Sequence, residues 1–257
     1  MCGRDWSSDV CSSDLKPQNY LLKNIHGRHI IKKSKKFLKM KFVAIKHKNG
    51  DGVVSMGKEV VLLGDSITQG LGSKKINFTE RLTSLLGDGF HVDNMALTGT
   101  TIRHAHEKLP EIIDMKPDYV VIIYGNVDAQ IRPNRNGRVF KHIPKRFQKS
   151  GMLMPRPFYS HTWYKRIGQK IDNDLRSFFS WLIYRLDGSE QWVRVEAFEE
   201  IYQDVVEQLM VNGIKVIACS TVFIDENKFN GSNEQYVKFN QTIRKIATIN
   251  NIEYIDL

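Results

Sequence analysis

Residues 59–66 read Glu-Val-Val-Leu-Leu-Gly-Asp-Ser: an apolar run of strand length, stopped by a glycine and followed at once by an Asp–Ser pair. A short run that is apolar at successive residues is what a parallel strand buried on both faces requires. The pattern recurs down the chain. His91–Met95 is a second strand segment, and Tyr119–Tyr124 (YVVIIY) is the clearest of all, again ending at a glycine, Gly125. Val216–Cys219 and Ile252–Ile255 complete the set. Helical stretches lie between them: Phe78–Leu86, stopped by Gly87; Thr101–Met115, which Pro110 is expected to interrupt; Val193–Met210; and Glu234–Ile249. The third of these carries Val195, Phe198, Ile201, Tyr202, Val205, Val206 and Leu209 on one face. Alternation of this kind predicts an α/β fold, a three-layer α/β/α doubly wound parallel sheet with helices on both faces. Such sheets bind ligands at the carboxyl ends of their strands, which directs attention to Gly64, Met95 and Gly125.

Composition agrees. With 257 residues, 41% hydrophobic and 26% charged, the chain can bury a large core, and collagen-like, coiled-coil or wholly disordered structures are excluded. The longest apolar stretch, Phe178–Leu186, is half the length of a spanning helix and contains Arg185. The net charge of +10 is unevenly placed. Residues 16–50 hold eleven Lys and Arg and no acid, and residues 131–170 hold eleven more, again with no acid. The remainder of the chain is acidic. Three cysteines, Cys2, Cys11 and Cys219, form no CxxC and no metal-spaced cluster, so neither a disulfide framework nor a zinc site is expected.

The amino-terminal region is set apart from this pattern. Arg4–Leu15 (RDWSSDVCSSDL) resembles the translation of a sequencing adapter, and residues 1–15 are read as non-native. Residues 16–55 fit either a basic tail or upstream sequence read in frame, with Met56 as a natural start, and an N-terminal strand unit (Phe42–Ile45, Val53–Ser55) is a third reading. The domain proper is therefore expected over 56–257, with 131–190 as an insertion. A cytoplasmic location is expected, with a signal peptide left open because the authentic start is not identified.

A serine at a strand-to-loop turn is held at the rim of the sheet, where its hydroxyl can serve as a nucleophile if a base lies nearby. Gly64-Asp65-Ser66-Ile67-Thr68-Gln69-Gly70 supplies such a serine, and by itself the segment reads equally as a turn in which Ser66 caps a helix. The second strand end carries Asn94-Met-Ala96-Leu-Thr-Gly99-Thr-Thr101, and the third carries Gly125-Asn126-Val127-Asp128. Together these blocks resemble those of the SGNH (GDSL-like) hydrolases, serine esterases and lipases on a flavodoxin-like sheet. The resemblance runs over about 58–257 and implies acyl transfer to water. Ser66 would attack an ester carbonyl, and the backbone amides of Ser66 and Gly99 would stabilise the oxyanion, with Asp65, Asn94 and Asp128 supporting the blocks. The family's oxyanion asparagine falls on Val127 when Asp128 is aligned, so Asn126, one position earlier, is the candidate third donor. G-x-V-D also resembles a family branch without that asparagine.

The family's catalytic His and its orienting Asp come from a D-x-x-H block after the final strand, and none is present near the C-terminus, which ends Tyr254-Ile-Asp256-Leu257. Both partners are expected beyond Leu257. His91, His104, His106, His142 and His161 read as surface or structural residues, and weak or no ester hydrolysis is expected of this polypeptide. The insertion mixes basic residues (Arg132, Arg135, Arg138, Lys141, Lys145, Arg146, Lys149, Arg156, Lys165, Arg166, Lys170) with Phe140, Phe147, Phe158, Tyr159, Trp163 and Tyr164. It reads either as a lid or substrate-binding subdomain, or as a helical insertion with its aromatics packed inward. The resemblance implies a carbohydrate or other small polar ester as partner, no cofactor and no metal. Two alternatives are also compatible with the sequence: a non-catalytic carbohydrate-binding module of the same fold, and nucleic-acid binding through the basic segments.

Overall fold

A computed structural model describes residues 57–70, 78–149, 153–154, 159–224 and 231–257. The expectations for residues 1–55, with Cys2 and Cys11, and for Arg156 and Phe158 lie outside the described residues. Five parallel strands form the central sheet: β1 (Lys58–Gly64), β2 (Phe90–Asn94), β3 (Tyr119–Ile123), β6 (Lys215–Cys219) and β7 (Glu253–Ile255), in the spatial order β2-β1-β3-β6-β7. This is the flavodoxin-like order. Register is set by burial: Val60, Val61, Leu62 and Leu63 are fully buried and lie opposite Tyr119, Val120, Val121 and Ile122. A one-residue slip would exchange every side chain between the two faces.

Helices cover both faces for a reason the strand order supplies. From β1 the chain steps outward to β2, and from β2 onward it steps back across the sheet. Because parallel crossovers are right-handed, the reversal puts the first connection on one face and the later ones on the other. Thus α2 (Phe78–Leu86), which follows the short α1 (Ser66–Gln69), sets Leu82 and Leu86 against Val60, Leu62, Val121 and Ile123. The opposite face is covered by α3 (Ile102–Met115), α8 (Val195–Val211) and α9 (Ser232–Ile249), packed on Val61, Leu63, Val120, Ile122, Val216 and Ala218. All seven residues expected on the apolar face of α8 belong to this core or pack against it.

One helical expectation is corrected. Pro110 does not interrupt α3, which runs continuously through it. Its ring lies on the exposed side, so the C=O it leaves without an amide partner, that of the exposed His106, faces water, while Ala105, Leu109 and Ile112 bury the other side.

The insertion leaves the sheet after β3 through α4 (Asn126–Ala129). Its base is a two-stranded antiparallel ladder of β4 (Ile131–Pro133) and β5 (Ser189–Gln191), an element with too little sequence to be read from periodicity. Between these strands lie α5 (Arg138–His142), α6 (Lys145–Gln148) and the 24-residue α7 (Trp163–Leu186). A separate small core of Phe140, Ile143, Phe147, Leu153 and Ile183 holds them together. The inward-packing reading therefore applies to Phe140 and Phe147. It does not apply to Tyr159, Trp163 and Tyr164, which are exposed.

Candidate active site

The reversal of winding direction falls between β1 and β3, so the crevice at their carboxyl ends is where this topology accommodates a ligand. Ser66 lies directly beyond β1. Gly64 is required there: a Cβ at this position would come within 2.1 Å of Thr68 Oγ1 and 2.6 Å of its Cβ. The close approach lets the chain turn from strand into α1 within one residue. Asp65, not Ser66, is the cap, for its Oδ1 accepts the Ile67 N–H at 2.9 Å. Ser66 then occupies the first helical position, half-buried at the sheet rim, and Gly70 ends the turn with φ +92°.

The second loop is docked onto the first. Met95 N–H donates to Leu62 O and Leu97 N–H to Gly64 O, extending the β1–β2 ladder past the end of β2. Asn94 donates through Nδ2 to Thr68 O (3.1 Å) and Thr79 Oγ1 (2.6 Å), and its Oδ1 accepts the Ala96 N–H. Gln69 completes the clasp, its Oε1 accepting from both the backbone N–H and the hydroxyl of Thr98. Gly99 follows, exposed, with φ +79° and open space around a notional Cβ, so its conformation rather than crowding requires glycine.

The third loop is tied to the second by Asp128. This carboxylate is fully buried and accepts the Ile102 N–H at 2.9 Å and the Gly125 N–H at 3.1 Å. Gly125 has φ +121°, and a Cβ there would lie 2.5 Å from Thr221 Cγ2. Asn126 turns toward the loop after β6: its Nδ2 donates to Val222 O at 2.7 Å and its Oδ1 accepts the Val222 N–H at 3.2 Å. Val127 is buried. The β6 loop is in turn held by Asn240, whose Oδ1 accepts from the amide and hydroxyl of Thr221, and by Ser220, whose hydroxyl accepts the Leu257 N–H.

Six residues in this framework were not singled out from the sequence: Gln69, Thr79, Thr98, Ser220, Thr221 and Asn240. Gln69 and Thr98 flank recognisable motif residues, which was the available signal. The Thr221–Asn240 pair joins a strand end to a helix and has no local signature. Arg132 is a further case. Counted among the basic residues of the insertion, it is buried, donates to Val127 O, Gln130 O and Gln130 Oε1, and stacks over Trp192 at 3.9 Å. Burial lowers its pKa to about 10, and it braces the third loop from beneath.

Two buried acids lie under the crevice. Burial raises Asp65 to about 6, against the opposing bond from Ile67. Burial also raises Asp128 to about 7, with the neighbouring Asp65 charge adding to the effect. Tyr124, at the end of β3, is held well above its ordinary range by the same burial. Three of the described histidines are paired with carboxylates. His91 pairs with Asp93 at 3.3 Å near the amino end of β2, His104 with Glu107 at 3.8 Å, and His106 with Asp204 of α8 at 3.0 Å. His142 and His161 belong to the insertion.

The structure thus brings Ser66, Gly99, Asn94 and Asp128 to one end of one sheet, cross-linked loop to loop. Solved structures of like fold include the acetyl xylan esterase AlAXEase (20% identity, 77% of each chain, TM-score 0.47) and TesA (14% identity, 77% of each chain, TM-score 0.47). A third is the lipase/acylhydrolase from Enterococcus faecalis (18% identity, 78% of this chain and 76% of the other, TM-score 0.48). No curated protein matches by sequence. A family match, to the GDSL-like Lipase/Acylhydrolase family, spans residues 62–257, from within β1 to the last residue. With its three motif blocks at three adjoining strand ends, the chain belongs to the GDSL-like lipase/acylhydrolase family of ester-hydrolysing enzymes.

Proposed function

We propose that the protein is a serine esterase in which Ser66 Oγ attacks the carbonyl carbon of an acyl ester. The backbone amides of Ser66 and Gly99 are the proposed oxyanion donors. The observation that carries this reading is the double clasp of Asn94 on Thr68 and Gln69 on Thr98, which ties the Gly99 loop to the turn that bears Ser66. Donors fixed before the reaction stabilise the developing oxyanion without reorganisation, at about 3 kcal/mol each. Asn126 is proposed as a third donor through the second N–H of its amide, the first being held by Val222. The reaction forms a Ser66 acyl ester with release of the alcohol, and water then releases the acid.

The substrate proposed is an acyl ester of a carbohydrate or other small polar alcohol. What supports it is the polar character of the residues around the Ser66 turn, namely Gln69, Asn94, Thr98 and Thr100. Turnover by this polypeptide is proposed to be weak, since among the described residues His91, His104 and His106 are each paired with a carboxylate. A sensitive aryl-acetate assay tests both points. Slow hydrolysis abolished by Ser66→Ala is the expected result. Hydrolysis unaffected by Ser66→Ala would overturn the nucleophile, and rapid Ser66-dependent turnover would overturn the proposed impairment.

A further inference from the structure

Helix α7 has two unlike faces. Asn173, Arg176 and Ile183 are buried, and Phe179 packs on Phe147. On the other side the residues repeat in sevens: Tyr164, Ile171 and Phe178 form one row, and Ile167, Asp174 and Trp181 the next. Two adjoining rows of this period make a seam along one face of a helix. The five apolar members are exposed, as is Leu175 beside the first row. From Tyr164 to Trp181 the seam extends over about 26 Å of helix.

The area and the charge of this seam both match a second copy of the same helix. Tyr164, Phe178 and Trp181 are 59%, 52% and 59% exposed. Together the six apolar residues present about 500 Å². An interface of standard size covers about 800 Å² on each partner, somewhat over half of it apolar, so this face supplies the apolar share of one. Asp174 is the charged residue within the seam, and Lys170 lies one turn before it; both are exposed. Among the described residues neither has an ion-pair partner. A charge set in an apolar seam needs an opposite charge from whatever covers it.

That requirement fixes the orientation. With two helices parallel, the two Asp174 side chains would meet in one layer, like charge against like. With the helices antiparallel about a two-fold axis passing between positions 172 and 173, the layers match differently. Tyr164 then lies level with Trp181 of the second copy, Ile167 with Phe178, and Ile171 with Asp174. Such an axis keeps each row on its own side of the interface. It therefore brings Asp174 within one residue rise, about 1.5 Å along the helix, of Lys170 of the second copy. The contact is made twice, because a two-fold interface repeats every pair. We propose that the protein forms a two-fold dimer through α7, the helices antiparallel, with two Lys170–Asp174 ion pairs set in an apolar seam.

Sedimentation equilibrium of the full chain over a concentration series provides the test. The expected result is a monomer–dimer equilibrium without larger species. Phe178→Ser should weaken dimerisation by roughly a hundredfold, about tenfold from each copy. Asp174→Lys and Lys170→Asp each set like charges across the axis, and each variant alone is expected to be monomeric. Mixed in equal amounts, the two should regain a dimer, in which the lysines at 170 and 174 of one copy face the aspartates of the other. The wild-type measurement and Phe178→Ser carry the test if either charge variant misfolds. A wild-type chain that stays monomeric, its α7 face bare or taken up by vesicles or by another protein, would overturn the proposal. So would a dimer unaffected by Phe178→Ser, or folded charge variants that dimerise alone or fail to dimerise when mixed.

Discussion

Replacing Asp128 with alanine tests whether a buried carboxylate links the second and third loops. The substitution removes the acceptor for two backbone amides, those of Ile102 and Gly125. Each buried N–H left without a partner costs about 1–3 kcal/mol, so the loss from both is about 2–6 kcal/mol. An opposing effect depends on pH. Burial, with the charge of Asp65 beside it, raises Asp128 from 3.8 in an unperturbed chain to about 7 in the fold. Well below pH 3.8 the group is protonated in both states and the fold bears no ionisation cost. As pH rises toward 7 the unfolded chain ionises first, and the wild type loses about 1.4 kcal/mol per pH unit, approaching about 4 kcal/mol in total. Asp65, raised to about 6, adds a loss of the same sign. Asp128→Ala abolishes the Asp128 part of this slope. Urea unfolding at pH 5 and pH 8 reads the difference. The expected outcome is a variant about 0.4–4 kcal/mol less stable than wild type at pH 5, with the gap narrowing by about a further 3 kcal/mol by pH 8. A gap that is constant or widens with pH would refute the reasoning, because the carboxylate would then be favoured by its two amides more than it is penalised by burial.

Three further outcomes follow from particular contacts. Gly64→Ala forces a Cβ against the Thr68 side chain, and should lower stability by about 1–3 kcal/mol and displace Ser66, read by thermal unfolding and by loss of residual ester hydrolysis. Gln69→Ala frees the Gly99 loop and is expected to reduce kcat with little change in KM. Gln69→Glu, which keeps an oxygen where Oε1 accepts from Thr98, should recover most of the rate. Ile183→Ala opens the small core of the insertion, where Ile183 is fully buried, and should cost about 2–5 kcal/mol in denaturant unfolding.

The strands and helices of the sheet were legible from local pattern because burial on both faces leaves a signature within each segment. Runs such as VVLL and YVVIIY admit few readings, and their glycine stops mark the loops that carry Ser66 and Asn126. Where local rules met tertiary context they yielded. Pro110 sits inside a continuous helix since one side of that helix is wet and the other is anchored in the core. The cap that the motif allowed Ser66 belongs to Asp65, which leaves the serine hydroxyl out of the helix terminus. Arg132, one basic residue among eleven in its segment, proved to be a buried brace, a distinction that composition does not carry.

By itself, then, the sequence determined the α/β class, the motif blocks and their order, and the concentration of base in one insertion. These are properties of segments, fixed by periodicity, turn chemistry and charge. The tertiary structure alone decided which segments meet. The order β2-β1-β3-β6-β7 puts the winding reversal beside Ser66, and bonds between residues 26 to 96 positions apart (Asn94 to Thr68, Asp128 to Ile102, Asn126 to Val222) join the strand-end loops. It also decided that α7 buries Asn173, Arg176 and Ile183 while Tyr164, Ile167, Ile171, Leu175, Phe178 and Trp181 are exposed. A hydrophobic pattern states that a side chain avoids water, but its partner is chosen by the arrangement of the whole chain.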